Sequence, residues 1–192
     1  MDEGFFLCGL DEAGRGPLAG PVCAAAVILP PDFSVSVLND SKKLKAEERD
    51  KARLAICLSD AKWGIGWASA AEIDEINIHR ATLLAMKRAF EIMIKSSSYG
   101  TSNIRAIVDG LFVPDINVPC EALVKADNSV PEVMAASIMA KTARDRLMEY
   151  YGIFYPQYGY SQHKGYPTKA HREAILRFGP SPIQRMSFRV KL

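Results

Sequence analysis

Four carboxylates set the chemistry available to this sequence. Asp11 and Glu12 follow the apolar run FFLCGL, Asp109 closes IRAIVD, and Asp127 closes EALVKAD. Carboxylate oxygens suit hard cations such as Mg²⁺ and Mn²⁺. Four converging acids suit a pair of ions about 3.5–4 Å apart, which can activate a water and stabilise the leaving oxygen of a phosphodiester. Without a cation such a set repels itself. Any one of these acids alone is also what a turn or helix cap uses. Their placement at the ends of three apolar segments is what points to a site. Adjacent strand residues face opposite ways, so Asp11 and Glu12 share a site only if the strand ends near Asp11 or twists there. Gly14 and Gly16 would permit such a break.

The stretch DEAGRGPLAG invites comparison with a dinucleotide-binding loop. The spacing is G-x-G-x-x-x-G, one residue too long for that fingerprint, and no helix pattern follows it. Pro17 and Pro21 flank the loop, and the next segment, VCAAAVIL, reads as a strand. A P-loop pattern is absent.

The elements that must position these acids are legible in outline. FFLCGL, PVCAAAVILP, WGIGWASA, IRAIVDG and EALVKAD read as five strands. NDSKKLKAEERDKARLAICLS reads as a loop entering a helix. Ser69 and Glu72 have capping-box spacing, and Leu83, Met86, Phe90 and Met93 mark the apolar face of the helix that follows, with Arg88, Glu91 and Lys95 opposite. SSSYGTSN (96–103) ends it. Ser129 and Glu132, with Pro131 between them, predict a second capped start for VPEVMAASIMAKTARDRLMEYY, whose alanines permit close packing. In that helix Ser137 reads equally as a packing residue or as one near the site, and Lys141 and Arg144 as surface or phosphate-contacting bases. Thr168 predicts the cap of KAHREAILRF, which stops at Gly179-Pro180. The expectation is an α/β fold with a mixed sheet flanked by helices, in one domain over 1–192, with about 150–192 as a basic C-terminal helical extension.

Bulk properties narrow the class. The 192 residues are 48% hydrophobic and 24% charged, ordinary for a globular protein. The four cysteines form no C-x-x-C pair, which predicts free thiols rather than zinc or disulfides. No apolar run approaches the ~20 residues of a membrane span. MDEGFF has no basic leader, so a cytoplasmic protein is expected. The net charge is only +2, yet residues 161–192 carry Lys164, Lys169, Arg172, Arg177, Arg185, Arg189 and Lys191 against Glu173. A basic end on an acidic body suggests a polyanionic partner. His79, His163 and His171 show no metal-ligand spacing.

DEAGRGPLAGPV, NDSKKL, INIHRATLLAM, VDG at 108–110, KADNSVPEVMAASIMAKTARDR and QHKGYPTKAH together resemble the bacterial ribonuclease HII family, the type 2 ribonucleases H. The blocks stand in family order along most of the chain. The resemblance implies a ribonuclease H-like fold with a five-stranded sheet. It implies an endonuclease that cuts the RNA strand of RNA/DNA hybrids and nicks DNA duplexes 5′ of an embedded ribonucleotide, leaving 3′-hydroxyl and 5′-phosphate ends. Its place would be ribonucleotide excision repair and RNA primer removal. The matching positions make Asp11, Glu12, Asp109 and Asp127 the catalytic ligands of two Mg²⁺ or Mn²⁺ ions. Gly14, Arg15 and Gly16 match the motif that meets the ribose 2′-hydroxyl through its backbone, and Tyr166 the tyrosine that stacks on the following sugar. Ser41, Lys42 and Lys43 match a loop near the substrate backbone, and Asn77 a helix motif near the site. A monomer is expected, and no sliding-clamp motif of the form Q-x-x-hydrophobic-x-x-aromatic-aromatic is evident near the C-terminus. Two departures stand out: Ala126 replaces a usual glycine, and Gln184-Arg185-Met186-Ser187-Phe188 replaces a usual H-R-R-S-F. The type 3 enzymes, with an added N-terminal platform and a different glycine motif, fit the short N-terminus less well.

Overall fold

Residues 5–38, 45–97 and 100–190 are described by the computed structural model. Five strands, β1 (Phe6–Ala13), β2 (Val22–Ile28), β3 (Lys62–Ala68), β4 (Ile104–Asp109) and β5 (Cys120–Leu123), form one sheet in the order β3-β2-β1-β4-β5. β1 pairs antiparallel to β2 and parallel to β4, β2 antiparallel to β3, and β4 parallel to β5. The sheet is therefore mixed, as expected. Five α-helices accompany it among the described residues: α1 (Ala46–Leu58), α2 (Ala70–Ser96), α3 (Pro131–Phe154), the single turn α4 (Tyr160–His163) and α5 (Lys169–Phe178).

Strand alternation divides the core into two layers. Cys8, Leu10, Val22, Ala24 and Ala26 face α2, where Met86, Phe90 and Met93 are buried. Cys23, Ala25 and Val27 face the other way, against Ile56 of α1 and Ala135, Ala136 and Ala140 of α3. Glycines bring the helices close. A Cβ on Gly66 of β3 would lie 2.0 Å from the Ala85 carbonyl oxygen of α2, and one on Gly9 of β1 would lie 2.1 Å from the Glu132 carbonyl carbon of α3. These contacts fix α2 against β3, and α3 against β1, the strand that carries Asp11 and Glu12.

Two helix starts follow the sequence and one does not. Ser69 Oγ accepts from Glu72 N (3.2 Å) while Glu72 Oε2 accepts from Ser69 N (2.8 Å), a complete capping box. Thr168 Oγ1 accepts from His171 N (3.2 Å) and caps α5. The Ser129 cap is corrected: Val130 is the N-cap of α3 and makes no side-chain bond, and Pro131 starts the helix because it has no N–H to satisfy. The strand expected to run to Asp127 is also corrected. β5 stops at Leu123, Lys125 takes the left-handed conformation (φ 61°), and Asp127 sits in a 3-10 turn, Ala126–Asn128. α2 is kinked at Asn77 (φ 67°), whose side chain accepts from His79 N (3.0 Å) and Arg80 N (3.1 Å) and restarts the helix as an N-cap does. α3 continues through residue 150 to Phe154, and α4 and α5 follow. Among the described residues no helix is long and apolar enough to cross a membrane, and the four cysteines are free.

Candidate active site

The parallel pairing of β1 with β4 ends at Leu10↔Val108, but β1 continues along β2 as far as Ala13. The strand therefore does not end near Asp11. It outruns β4, leaving a gap on that side of Asp11 and Glu12. Asp109, the last residue of β4, stands at the head of this gap. The 3-10 turn after β5 swings Asp127 into the same place, because Ala126 N donates to Asp109 Oδ1 (2.9 Å). Asp11, Asp109 and Asp127 each offer a carboxylate oxygen within 4.8 Å of the others. Alternation sends Glu12 toward the opposite face from Asp11, and it is not part of this tight group. It still lines the same cleft of about 400 Å³, with Gly14, Arg49, Asp109, Ser137, Lys141 and Tyr166.

The electrostatics suit a cation. Burial, then the nearby Glu12 charge, pushes the Asp11 carboxyl well above the usual carboxylate range, with Asp109 adding to the effect. Hydrogen bonds from Ser137 and from Glu12 N (2.7 Å) oppose the rise. Burial also raises Glu12, although Arg15, 3.4 Å away, pulls it down. Three clustered carboxylates that offer only oxygen form a donor set for hard divalent ions, so these residues fit such a metal. A raised carboxyl contributes stability below its unfolded value of about 4 and loses it as pH rises through the folded value. A divalent ion competes with those protons and reverses the loss. Mn²⁺ is therefore expected to raise the melting temperature by about 3 °C more at about pH 8 than at about pH 5, as read by differential scanning fluorimetry. An equal shift at both pH values would show that the ion binds elsewhere.

Beside the acids, Gly14 is buried with φ 96°, while Arg15 and Gly16 are exposed. Two buried guanidiniums hold this turn from behind. Arg185 donates to the carbonyls of Gly20 (2.8 Å), Arg15 (2.9 Å) and Gly14 (2.6 Å). Arg144 donates to those of Pro21 (3.0 Å), Lys164 (3.0 Å) and Ala19 (3.2 Å). Burial, then the neighbouring Arg144 charge, brings Arg185 down to about 9, which leaves it protonated at neutral pH. Tyr166 faces Gly16 across the cleft and is 40% exposed. Its loop rests on a stacked histidine pair, with ring centroids 4.5 Å apart. His171 Nδ1 contacts the Tyr166 carbonyl oxygen (3.0 Å), and His163 Nδ1 accepts from Gly165 N (3.2 Å).

Comparison with known proteins decides what this assembly is. The ribonuclease HII family model matches residues 8–191. The chain belongs to the ribonuclease HII family. Ribonuclease HII of Treponema denticola is 57% identical over 96% of this chain and 98% of its own, and that of Syntrophotalea carbinolica 46% over 95% and 85%. Membership makes the chain a metal-dependent endoribonuclease, a hydrolase of phosphodiester bonds. The fold is the ribonuclease H-like one. A chain of the PCNA:RNase HII complex from Archaeoglobus fulgidus superposes with a TM-score of 0.76 at 24% identity, covering 97% of this chain and 96% of that one. Bst-RNase HIII in complex with Mn²⁺ gives 0.76 at 18%, covering 98% and 69%.

Of the family-motif residues named from sequence, the cleft gathers Asp11, Glu12, Gly14, Asp109 and Tyr166, with Asp127 in the carboxylate group and Gly16 against Tyr166. Asn77 is exposed and does not line the cleft; its side chain caps the second half of α2. Ser41, Lys42 and Lys43 lie outside the described residues. Arg144 is corrected: it is 1% exposed and bonded to three carbonyls, so it is not a surface or phosphate-contacting base. Arg185, counted with the basic end, is likewise buried. The Ala126 departure introduces no left-handed strain, because the left-handed residue is Lys125. Sequence reading missed Arg49 as a cleft residue. The signal for it was weak, a basic residue in the first turns of α1 among many.

Proposed function

We propose that the chain cuts the RNA strand of RNA/DNA hybrids and nicks DNA duplexes 5′ of an embedded ribonucleotide, leaving 3′-hydroxyl and 5′-phosphate ends. The observation that carries this reading is the meeting of Asp11, Asp109 and Asp127 within 4.8 Å at a cleft that also holds Gly14 and Tyr166. Asp11, Asp109 and Asp127, with Glu12 at the side, are the ligands for two ions of Mg²⁺ or Mn²⁺. Bound there, the ions would supply a polarised water and neutralise charge on the departing 3′-oxygen.

The chain's own residues do the rest. Ser137 and the Glu12 amide orient the Asp11 carboxylate. The Gly14-Arg15-Gly16 turn brings backbone close to a sugar where a larger side chain would block it. A 2′-hydroxyl is the group that marks a ribonucleotide among deoxynucleotides. The exposed face of Tyr166 offers a surface for the neighbouring sugar. Ser41, Lys42 and Lys43 meet the substrate backbone. In this reading 1–192 is one catalytic domain, the remaining exposed bases of the extension from about 150 face the polyanion, and the chain works as a cytoplasmic monomer in ribonucleotide excision and primer removal.

The test is a DNA duplex carrying one labelled ribonucleotide, incubated with Mg²⁺ or Mn²⁺ and, in parallel, with chelator. The expected result is one metal-dependent nick 5′ of the ribonucleotide, with an end that a polymerase extends. The same duplex without the ribonucleotide stays intact. Failure to cut with either ion, or equal cutting of both duplexes, would overturn the proposal.

A further inference from the structure

We infer that Arg185 is a positioning residue for ribose recognition: its buried guanidinium sets the peptide planes of the Gly14-Arg15-Gly16 turn so that the Arg15 and Gly16 amides face the substrate side. This rests on the reading above, that the turn meets the 2′-hydroxyl.

The argument is geometric. In a planar trans peptide the carbonyl and the following N–H point in opposite directions. Arg185 takes the Gly14 carbonyl (2.6 Å) and the Arg15 carbonyl (2.9 Å), so the N–H groups of Arg15 and Gly16 are turned away from it. Arg185 is 0% exposed, whereas Arg15 and Gly16 are exposed, so those amides point outward. The third donor, to Gly20 (2.8 Å), closes the loop onto the same guanidinium. Three acceptors in three directions need the planar fork of arginine; a lysine ammonium is a single point at the end of a flexible stem.

The segment bearing Arg185 is itself fixed. Arg185 N donates to the Leu18 carbonyl (2.9 Å) and Gly20 N to that of Ile183 (2.8 Å), with an antiparallel bridge between Ala19 and Gln184. Beyond it, the Asp74 carboxylate of α2 accepts from Met186 N (2.8 Å) and Ser187 N (2.9 Å). The C-terminal segment thus carries a residue that acts through the turn on substrate without touching it.

The metal-loaded enzyme tests this through a ratio. KM is measured for a duplex with one ribonucleotide, and Ki for the same all-DNA duplex as a competitor. In Arg185→Lys the KM is expected to rise about tenfold, about 1.4 kcal/mol, while Ki stays within about twofold. A general folding defect would move both together. Asp74→Ala leaves Arg185 itself intact and loosens its tether; the ratio Ki/KM is expected to fall about threefold. If Arg185→Lys does not fold, this variant decides, and an unchanged ratio in it overturns the proposal. Wild-type preference retained in a folded Arg185→Lys overturns the role of Arg185 alone. A wild type with equal KM and Ki overturns the hydroxyl-reading turn, and the role of Arg185 with it.

Discussion

An Asp109→Asn variant is expected to fold and yet cut a ribonucleotide-containing duplex about a thousandfold more slowly, a loss of about 4 kcal/mol of transition-state stabilisation. Asparagine has nearly the same shape, and its Oδ1 can still accept from Ala126 N, so the contact that carries Asp127 into the cleft survives. Its place in the sheet also survives, since β4 is held through backbone bonds to β1 and β5. What changes is charge. Asp109 helps raise both Asp11 and Glu12, so removing it relaxes the self-repulsion of the cluster. Without divalent ions the variant should melt no lower than the wild type, and the Mn²⁺-dependent gain in melting temperature should shrink. Loss of cutting with a retained or higher metal-free melting temperature separates a ligand from a folding residue. Full activity in the variant would falsify the assignment of Asp109.

Much of this was legible because the sheet is regular. The apolar runs of β1 and β4 place Asp11 near the end of one strand and Asp109 at the end of its parallel neighbour. The sequence pattern could not show that β1 outruns β4, which is what admits Glu12 to the cleft. Strand length on one side depends on where the neighbour stops, a tertiary fact. Asp127 was named for the right cluster on the wrong backbone: EALVKAD has strand composition, and no Gly or Asn warns that Lys125 turns left-handed. Asn77 carried a usable signal, since asparagine is a common N-cap and the kink is a cap within a helix.

Arg144 and Arg185 were the least legible. Each belongs to a chemically exposed type, and each is buried by carbonyls distant in sequence, as when Arg185 meets Gly14 and Arg15. Counting Arg185 toward a basic, polyanion-facing end therefore overstated that surface. The same two residues explain why the turn that follows the acids can hold an irregular path. The carbonyls of Gly14, Arg15, Ala19, Gly20 and Pro21 all accept from these two guanidiniums, which satisfies acceptors that a regular element would otherwise have paired.

That arrangement predicts different stability outcomes for two glycines only two positions apart. In Gly14→Ala the new methyl would lie 1.9 Å from Arg144 Nε and 2.3 Å from its Cδ, at a backbone φ of 96° that alanine rarely adopts. Arg144 is buried and bonded to three carbonyls, so it has no room to withdraw. The variant is expected to lose about 3 kcal/mol of stability and about a hundredfold in cutting, because the shifted turn also displaces Glu12 and Arg15. In Gly16→Ala the nearest atom to the methyl is Tyr166 Cε1 at 3.8 Å, an ordinary contact, and the position needs no positive φ. Its melting temperature should stay within about 2 °C of the wild type, while the methyl stands in the gap between the turn and Tyr166 where the ribose would enter. Cutting should therefore fall about tenfold or more, with the loss in KM. Thermal melts and steady-state kinetics on both variants check this directly. A Gly16→Ala enzyme with unchanged KM would remove the sugar from that gap and with it the role given to the turn.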